Sequence, residues 1–269
     1  MPRAEPALAL GHAVTLGLLQ GPAELLPISS SAHTTLVPWL AGWPCAGLDG
    51  ELRKSFEVAL HAGTALALAL ELSGELQSFD GQSARMLALS LAPAALAGFL
   101  LREPIERRLG APRSIAAGLA AGGLAMAIAD SRAGGDERAR GDAGVLDGLA
   151  LGIAQATALI PGVSRHGATL TAARARGFGR GPAQTLSWEA GLPVILAAVA
   201  LKSARLIRDG ITPAARAPLA AGTASAFAST LVSARLLRRG RRSGRRLAPY
   251  ALYRFLLAAL ILVHERRER

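Results

Sequence analysis

Two apolar stretches of this chain, at about 7–26 and 144–160, are interrupted by Gln, Glu, Pro and Gly and run into matched polar turns. The first reads Leu16-Gly17-Leu18-Leu19-Gln20, then Glu24, then Pro27-Ile28-Ser29-Ser30-Ser31-Ala32-His33. The second reads Leu151-Gly152-Ile153-Ala154-Gln155, then Pro161-Gly162-Val163-Ser164-Arg165-His166-Gly167. After a similar gap, each is followed by an aromatic–Glu pair entering an apolar run: Phe56-Glu57-Val58-Ala59-Leu60 and Trp188-Glu189-Ala190-Gly191-Leu192. In hydrocarbon every backbone polar group needs a partner within the protein, so such segments are poor uninterrupted spans. They read as helices that enter the bilayer, break and turn back. A duplicated broken element of this kind marks a site near a repeat interface.

The rest of the chain supplies the membrane helices. Apolar stretches at about 52–73, 84–102, 112–130, 185–208, 214–236 and 247–264 span, or nearly span, a bilayer. Many are rich in Ala and Gly, as in Ala116-Ala117-Gly118-Leu119-Ala120-Ala121-Gly122-Gly123. Such faces let helices approach closely where lipid offers no drive for association, and they permit a homodimer. The segment Asp130 to Asp142 has almost no apolar content and reads as a solvated loop. The pattern predicts an all-α, polytopic integral membrane protein. Residues 1–269 read as one membrane domain, with repeat one at about 7–130, the polar loop at about 131–142 and repeat two at about 143–264.

Charge supports this reading once it is taken by position. The formal net charge is +11, which in a soluble protein would suggest nucleic acid. Here the arginines fall between apolar runs, and 4% aromatic residues leave little to stack on bases. Membrane embedding accounts for the charge and for the mean hydropathy of +0.33, and no nucleic-acid partner is expected. Arg235 to Arg246 holds seven arginines and no acid, which places it in the cytoplasm, whereas Arg266, Arg267 and Arg269 pull the opposite way across the last span. The single cysteine, Cys45, cannot form an intrachain disulfide. The first apolar run leads into Gln20 and Glu24 rather than a small-residue cleavage site, so it is expected to stay.

In the first hairpin Gln20 and Glu24 are four residues apart, so a helix sets them on one face. Pro27 stops that helix, and Ser29, Ser30 or Ser31 can cap the next. A Ser-rich turn opening a helix offers backbone N–H groups and hydroxyls that together suit a phosphate. His33 follows three or four residues on and can exchange a proton at neutral pH. The second hairpin adds the hydroxyl of Ser164 and the fixed charge of Arg165, which can grip a phosphate through two parallel hydrogen bonds. Together the hairpins would set carboxylate, imidazole, hydroxyl and guanidinium around one anion. In phosphoryl transfer, positioning and charge neutralisation of that kind supply most of the catalysis.

Blander roles compete with these. Serines and prolines in membrane helices commonly serve only packing or kinks. Glu24, Arg165 and His33 differ, because an ionisable group among apolar neighbours is expensive and functional by default. Glu57 and Glu189 read equally as site residues or as buried partners of arginines such as Arg53 or Arg174. His61 and His166 read as supporting residues, and His12 and His264 as interface residues. Broken helices with buried charge would also serve a transporter or lipid flippase. Against that reading stands the convergence of His33, the serines and Arg165 with a carboxylate, since transport needs binding groups rather than a proton shuttle.

These residues carry a resemblance. The chain resembles the undecaprenyl-diphosphatases of the bacitracin-resistance type, whose first motif runs from Glu or Gln through a second Glu into Pro-x-Ser-Ser and a His. It is matched here by Gln20 to His33. The second motif, Pro-Gly-x-Ser-Arg-x-Gly-Ala-Thr, is matched by Pro161 to Thr169, and further echoes are Ser55-Phe56-Glu57-Val58 and Pro249-Tyr250-Ala251-Leu252-Tyr253-Arg254-Phe255. The resemblance implies two interlocked inverted repeats with two re-entrant helix hairpins in the bacterial plasma (inner) membrane, with the site facing outward. It implies hydrolysis of a polyprenyl diphosphate lipid, undecaprenyl diphosphate, to the monophosphate and inorganic phosphate. That reaction recycles the carrier for peptidoglycan and confers bacitracin resistance. It marks Glu24, Ser30, His33, Ser164 and Arg165 as catalytic and Ser29, Ser30, Gly162, Ser164, Arg165 and Thr169 as diphosphate-binding. Glu24 with Gln20 would hold Mg2+ or Ca2+, and Glu57, His166 and Glu189 would support the site. Two departures stand out: Gln20 where a carboxylate can stand, and His166 where many relatives carry Ser.

Overall fold

The computed structural model describes residues 8–74, 81–132, 137–239 and 246–267. Ala7, part of the polar loop (133–136), half of the basic run (240–245) and Arg269 lie outside them. Among the described residues, ten α-helices follow one another in the order short, short, long, long, long, twice over.

In the first half α1 is Leu10–Leu25, α2 Ser30–Leu40, α3 Gly50–Glu71, α4 Gly81–Leu109 and α5 Pro112–Arg132. In the second, α6 is Val145–Thr157, α7 Arg165–Ala175, α8 Arg180–Asp209, α9 Pro213–Arg239 and α10 Ala248–Arg267. Local chemistry sets the breaks. Pro27 forces the preceding Leu26 into extended backbone (φ −98°, ψ 151°), which ends α1. The second turn holds Gly162 at φ +92°, a left-handed conformation in which its bare Cα lies against the Ile115 carbonyl of α5; any Cβ there would collide with that oxygen. Asp49 caps α3 by accepting from the backbone N–H groups of Glu51 and Leu52.

Four helices carry stretches long and apolar enough to cross a membrane: Ala84–Leu101, Pro112–Ser131, Arg180–Leu201 and Ala248–Arg267. The expected spans in α3 and α9 are not among these four. They pack on each other along faces that carry small and polar groups, where Thr64 Oγ1 and Thr230 Oγ1 lie 3.2 Å apart in the interior.

Packing exchanges the halves. The first hairpin lays α1 on α9, and the second lays α6 on α4, so each short hairpin is seated on a long helix of the other half. The seats are made the same way. Gly17 and Gly21 bring the α1 backbone against Ser225 and Ser229, while Gly148 and Gly152 bring α6 against Met86, Ser90 and Pro93. These four glycines are therefore used within the chain. Helices α3 and α8 meet across the centre, as do α5 and α10.

The described part of the polar segment, 137–142, is largely exposed as expected, and it is also stitched by charge to the second half. Asp130 is buried and accepts from Arg180 Nε at 2.8 Å and from the Leu247 N–H at 3.0 Å. Glu137 pairs with the fully buried Arg174 at 2.9 Å, and Arg140 with Glu189 at 2.8 Å. Asp147 takes Arg138 and Arg176 at 2.8 and 2.7 Å, and its hydrogen bond to Arg138 holds that guanidinium above its ordinary pKa. Charged residues in sequence look alike whether water or a partner will satisfy them, and only the approach of α7 and α8 decides it.

Candidate functional site

The two hairpin turns meet at a cavity of about 200 Å³ lined by Glu24, Ser29, Ser30, Ser31, His61, Ser164, Arg165 and His166, with an apolar wall from α8. Glu24, 7% exposed, is its hub. Arg165 Nη2 donates to Glu24 Oε1 at 2.8 Å, joining residues 141 positions apart. Ser30 Oγ donates to Glu24 Oε2 at 2.5 Å, and Gln20 Nε2 reaches the same oxygen at 3.4 Å. His61 Nε2 lies 3.8 Å from it. One buried carboxylate thus draws a cation, a hydroxyl, an amide and an imidazole to a single point, which a buried charge requires to be tolerated at all.

The elements explain these positions. Gln20 and Glu24 share the inward face of α1, one turn apart, as their spacing predicted. Ser29 opens α2 at φ +75°, a left-handed conformation rare for serine, and its side chain makes no cap hydrogen bond. The backbone carbonyl of Ser29 can only accept, so His33 Nδ1, 2.7 Å away, carries the proton and donates to it. The other nitrogen, Nε2, then accepts from the Tyr253 hydroxyl at 2.6 Å. In the second hairpin Ser164 is the N-cap of α7, its Oγ accepting from the Gly167 N–H at 3.1 Å. Arg165 follows at the first helical position. Its guanidinium fits only because Gly191 of α8 has no side chain, since a Cβ there would collide with Nη1. That Nη1 is buried without a hydrogen-bond partner.

The expected site residues divide by placement. Glu24, Ser29, Ser30, Ser164, Arg165 and His166 are brought to one cavity. Gln20 stands behind Glu24. His33, Gly162 and Thr169 are not among the lining residues. His33 is buried with both ring nitrogens engaged, as above. The Gly162 carbonyl faces Arg254, and Thr169 Oγ1 bonds the Arg165 carbonyl at 3.0 Å inside the α7–α8 contact. His166 is held between Ser187 Oγ at 2.6 Å and Gln184 Nε2 at 3.0 Å. Glu189 pairs with Arg140 rather than with Arg53 or Arg174, and Glu57 is half-buried, its backbone carbonyl accepting from His61 Nδ1 at 2.7 Å.

Sequence reasoning missed the weight of His61, Gly191 and Arg254. His61 lies one turn beyond Glu57 on the inward face of α3, and with Nδ1–H committed to that carbonyl its Nε2 faces the cavity. The Phe56-Glu57 echo was the available signal for it.

The donors present can be tested against a divalent cation. Among the described residues no three of His, Cys, Asp and Glu gather into a ligand cluster. Glu24 does offer one carboxylate, and the Gln20 Oε1 beside it is a buried oxygen with no partner. A hard cation that keeps few protein ligands and completes its shell with phosphate oxygens and water, as magnesium does, fits such a set.

Comparison with known proteins identifies the family. Residues 13–260 match the family model of the bacitracin resistance protein BacA. The undecaprenyl-diphosphatase of Geobacter sulfurreducens is 42% identical over 94% of this chain and 97% of its own length. Those of Geobacter metallireducens and Moorella thermoacetica are 38% and 37% identical, over 94% and 93% of this chain and 97% and 96% of their own lengths.

Proposed function

The chain belongs to the bacitracin resistance protein BacA family, and from that premise we propose how its cavity performs the reaction its relatives are named for. The protein is a membrane enzyme, an undecaprenyl-diphosphatase. It hydrolyses undecaprenyl diphosphate to undecaprenyl phosphate and inorganic phosphate and so underlies bacitracin resistance. The observation that carries the reading is the Glu24–Arg165 contact, because it joins the two motif-bearing hairpins at one polar cavity.

In the proposed mechanism the terminal phosphate enters between the turns. Arg165 releases part of its hold on Glu24 and donates to phosphate oxygens, neutralising charge that builds as the anhydride P–O bond breaks. Ser30 already donates to Glu24, the arrangement of a hydroxyl with its base. It either attacks phosphorus, displacing undecaprenyl phosphate and leaving a phosphoserine that water then hydrolyses to inorganic phosphate, or orients a water that attacks directly; in each case Glu24 takes the proton of the attacking hydroxyl. Ser164 spends its acceptor capacity on capping α7, which favours Ser30 of the two. With Nδ1–H committed to the Glu57 carbonyl, the open Nε2 of His61 can accept from a water or from a protonated phosphate oxygen. His33 serves by holding the strained Ser29, from which Ser30 leads into α2. Glu24 and Gln20 would hold the divalent cation, which when bound supplies further neutralisation of phosphate charge.

We read the exchanged seating of α1 on α9 and α6 on α4 as two interlocked inverted repeats forming one membrane domain, with α1–α2 and α6–α7 as re-entrant hairpins. The cavity is assigned to the outer face of the bacterial plasma membrane, opposite the basic run that follows α9.

The test is phosphate release by detergent-solubilised protein given undecaprenyl diphosphate, with and without chelator. Release that stops with chelator and in Arg165→Ala is expected. Release equal to that of Arg165→Ala under every metal condition would remove the enzyme reading.

A further inference from the structure

The closing motif of the sequence, Pro249 to Phe255, has no part in the mechanism above, yet it carries a buried side chain with four hydrogen bonds away from the cavity. Arg254 is 1% exposed, and no carboxylate among the described residues pairs with it. Its donors go to backbone carbonyls alone. Nε donates to Leu119 at 3.0 Å and Nη1 to Pro27 at 3.2 Å, while Nη2 donates to Gly118 at 3.3 Å and Gly162 at 2.9 Å. Pro27 lies in the first hairpin turn, Gly162 in the second, and Gly118 and Leu119 in α5. The guanidinium is wedged between Gly122 and Gly167: a Cβ on the first would collide with Nη2, and one on the second would stand 2.8 Å from Nη1. The preceding residue of α10, Tyr253, donates to His33, which in turn holds the Ser29 carbonyl.

We propose that the Tyr253–Arg254 pair of α10 is a positioning brace that sets the distance between the two hairpin turns, and with it the register of Glu24 and Ser30 against Arg165. A buried cation without a counter-charge is costly, and partial charges on four carbonyls offset it only if all stay in place. The fork of a guanidinium is rigid and carries five N–H donors, so it can fix three segments at once. An ammonium, a compact point charge with three donors, cannot span the same set. The arrangement has the geometry of a shared clamp placed behind the cavity, touching no substrate itself.

The test uses Arg254→Lys in the full, detergent-solubilised chain, with two readouts. Hydrogen–deuterium exchange followed by mass spectrometry should show peptides covering 25–31 and 158–164 both exchanging faster, with α3 and α9 unchanged. The KM for undecaprenyl diphosphate should rise about tenfold, because the two halves of the phosphate grip no longer sit at the right separation; a merely destabilised protein would lose maximal rate at unchanged KM. Faster exchange in one turn only, in all helices alike, or an unaltered KM in an active enzyme would overturn the brace. Tyr253→Phe keeps the question decidable if the lysine variant does not accumulate. It should loosen 25–31 and leave 158–164 as in the parent, and no change at 25–31 would count against the proposal. The KM readout rests on the proposed activity and the exchange readout does not. A parent protein that releases no phosphate, with both turns loosened in the variant, would therefore sink the activity and leave the brace standing.

Discussion

The two hairpins begin from the same sequence plan and end with unlike chemistry. The first turn is strained at Ser29 and leaves its serine hydroxyls uncapped, so Ser30 is free to donate to Glu24. The second turn takes its left-handed residue at Gly162, where the conformation costs nothing, and uses Ser164 to cap α7. One hairpin stores a cost of about 1–3 kcal/mol in a non-glycine left-handed residue and exposes a nucleophilic group. The other relaxes and presents a cation. The two turns share a sequence plan, and the difference between them underlies the division of labour proposed above.

The comparison is broken most severely by exchanging the unlike groups. Glu24→Ala and Arg165→Ala should each lower turnover at least about a hundredfold, as for loss of a base or an oxyanion-type donor. The double variant Glu24→Arg with Arg165→Glu should recover thermal stability relative to either single change, yet stay inactive. Recovery of phosphate release by that swap would show that only the pairing mattered, not which hairpin carries which charge.

The serines sharpen the contrast next. Ser30→Ala should lower turnover about a hundredfold with little change in melting, because its hydroxyl serves Glu24. Ser164→Ala should cost about 1 kcal/mol of stability through its lost cap and lower turnover far less. Equal kinetic effects in the two variants would erase the distinction. Gly191→Ala comes third: the new methyl displaces Arg165, and a roughly tenfold fall in turnover, or about 1.4 kcal/mol, is expected without a change in metal dependence. The smallest effect lies outside the cavity. Arg140→Ala removes one charged partner of the buried Glu189 carboxylate and should lower the melting temperature by a few degrees, with KM as in the parent.

How much of this was legible beforehand follows from what each signal encodes. Pro27, Gly162 and the serines interrupt apolar runs, so the breaks and their polar faces could be read directly. The four-residue spacing of Gln20 and Glu24 placed them correctly on one helix face. Spacing does not say which neighbour a side chain meets. His33 lies one turn after Ser29, and its ring bonds back to that carbonyl rather than facing the cavity, as short polar side chains near a helix start also do. His61, on a different helix, faces it instead. Gly191 and Arg254 were invisible for the same reason, since their importance lies in what approaches them: Arg165 in one case and two distant turns in the other.

The crossed seating of the hairpins has a consequence for how the protein is made. The bed for α1 is α9, which leaves the ribosome roughly two hundred residues later; at about 5–20 residues per second that is a wait of roughly 10–40 seconds. Throughout that interval Glu24 and Gln20 lack the helix that shelters them, and for its first 141 residues Glu24 lacks Arg165 as well. Nascent chains must park a polar, half-built loop at the translocon or the headgroup layer until synthesis is nearly finished. Assembly of the polar cavity is therefore an event of late biogenesis rather than of insertion.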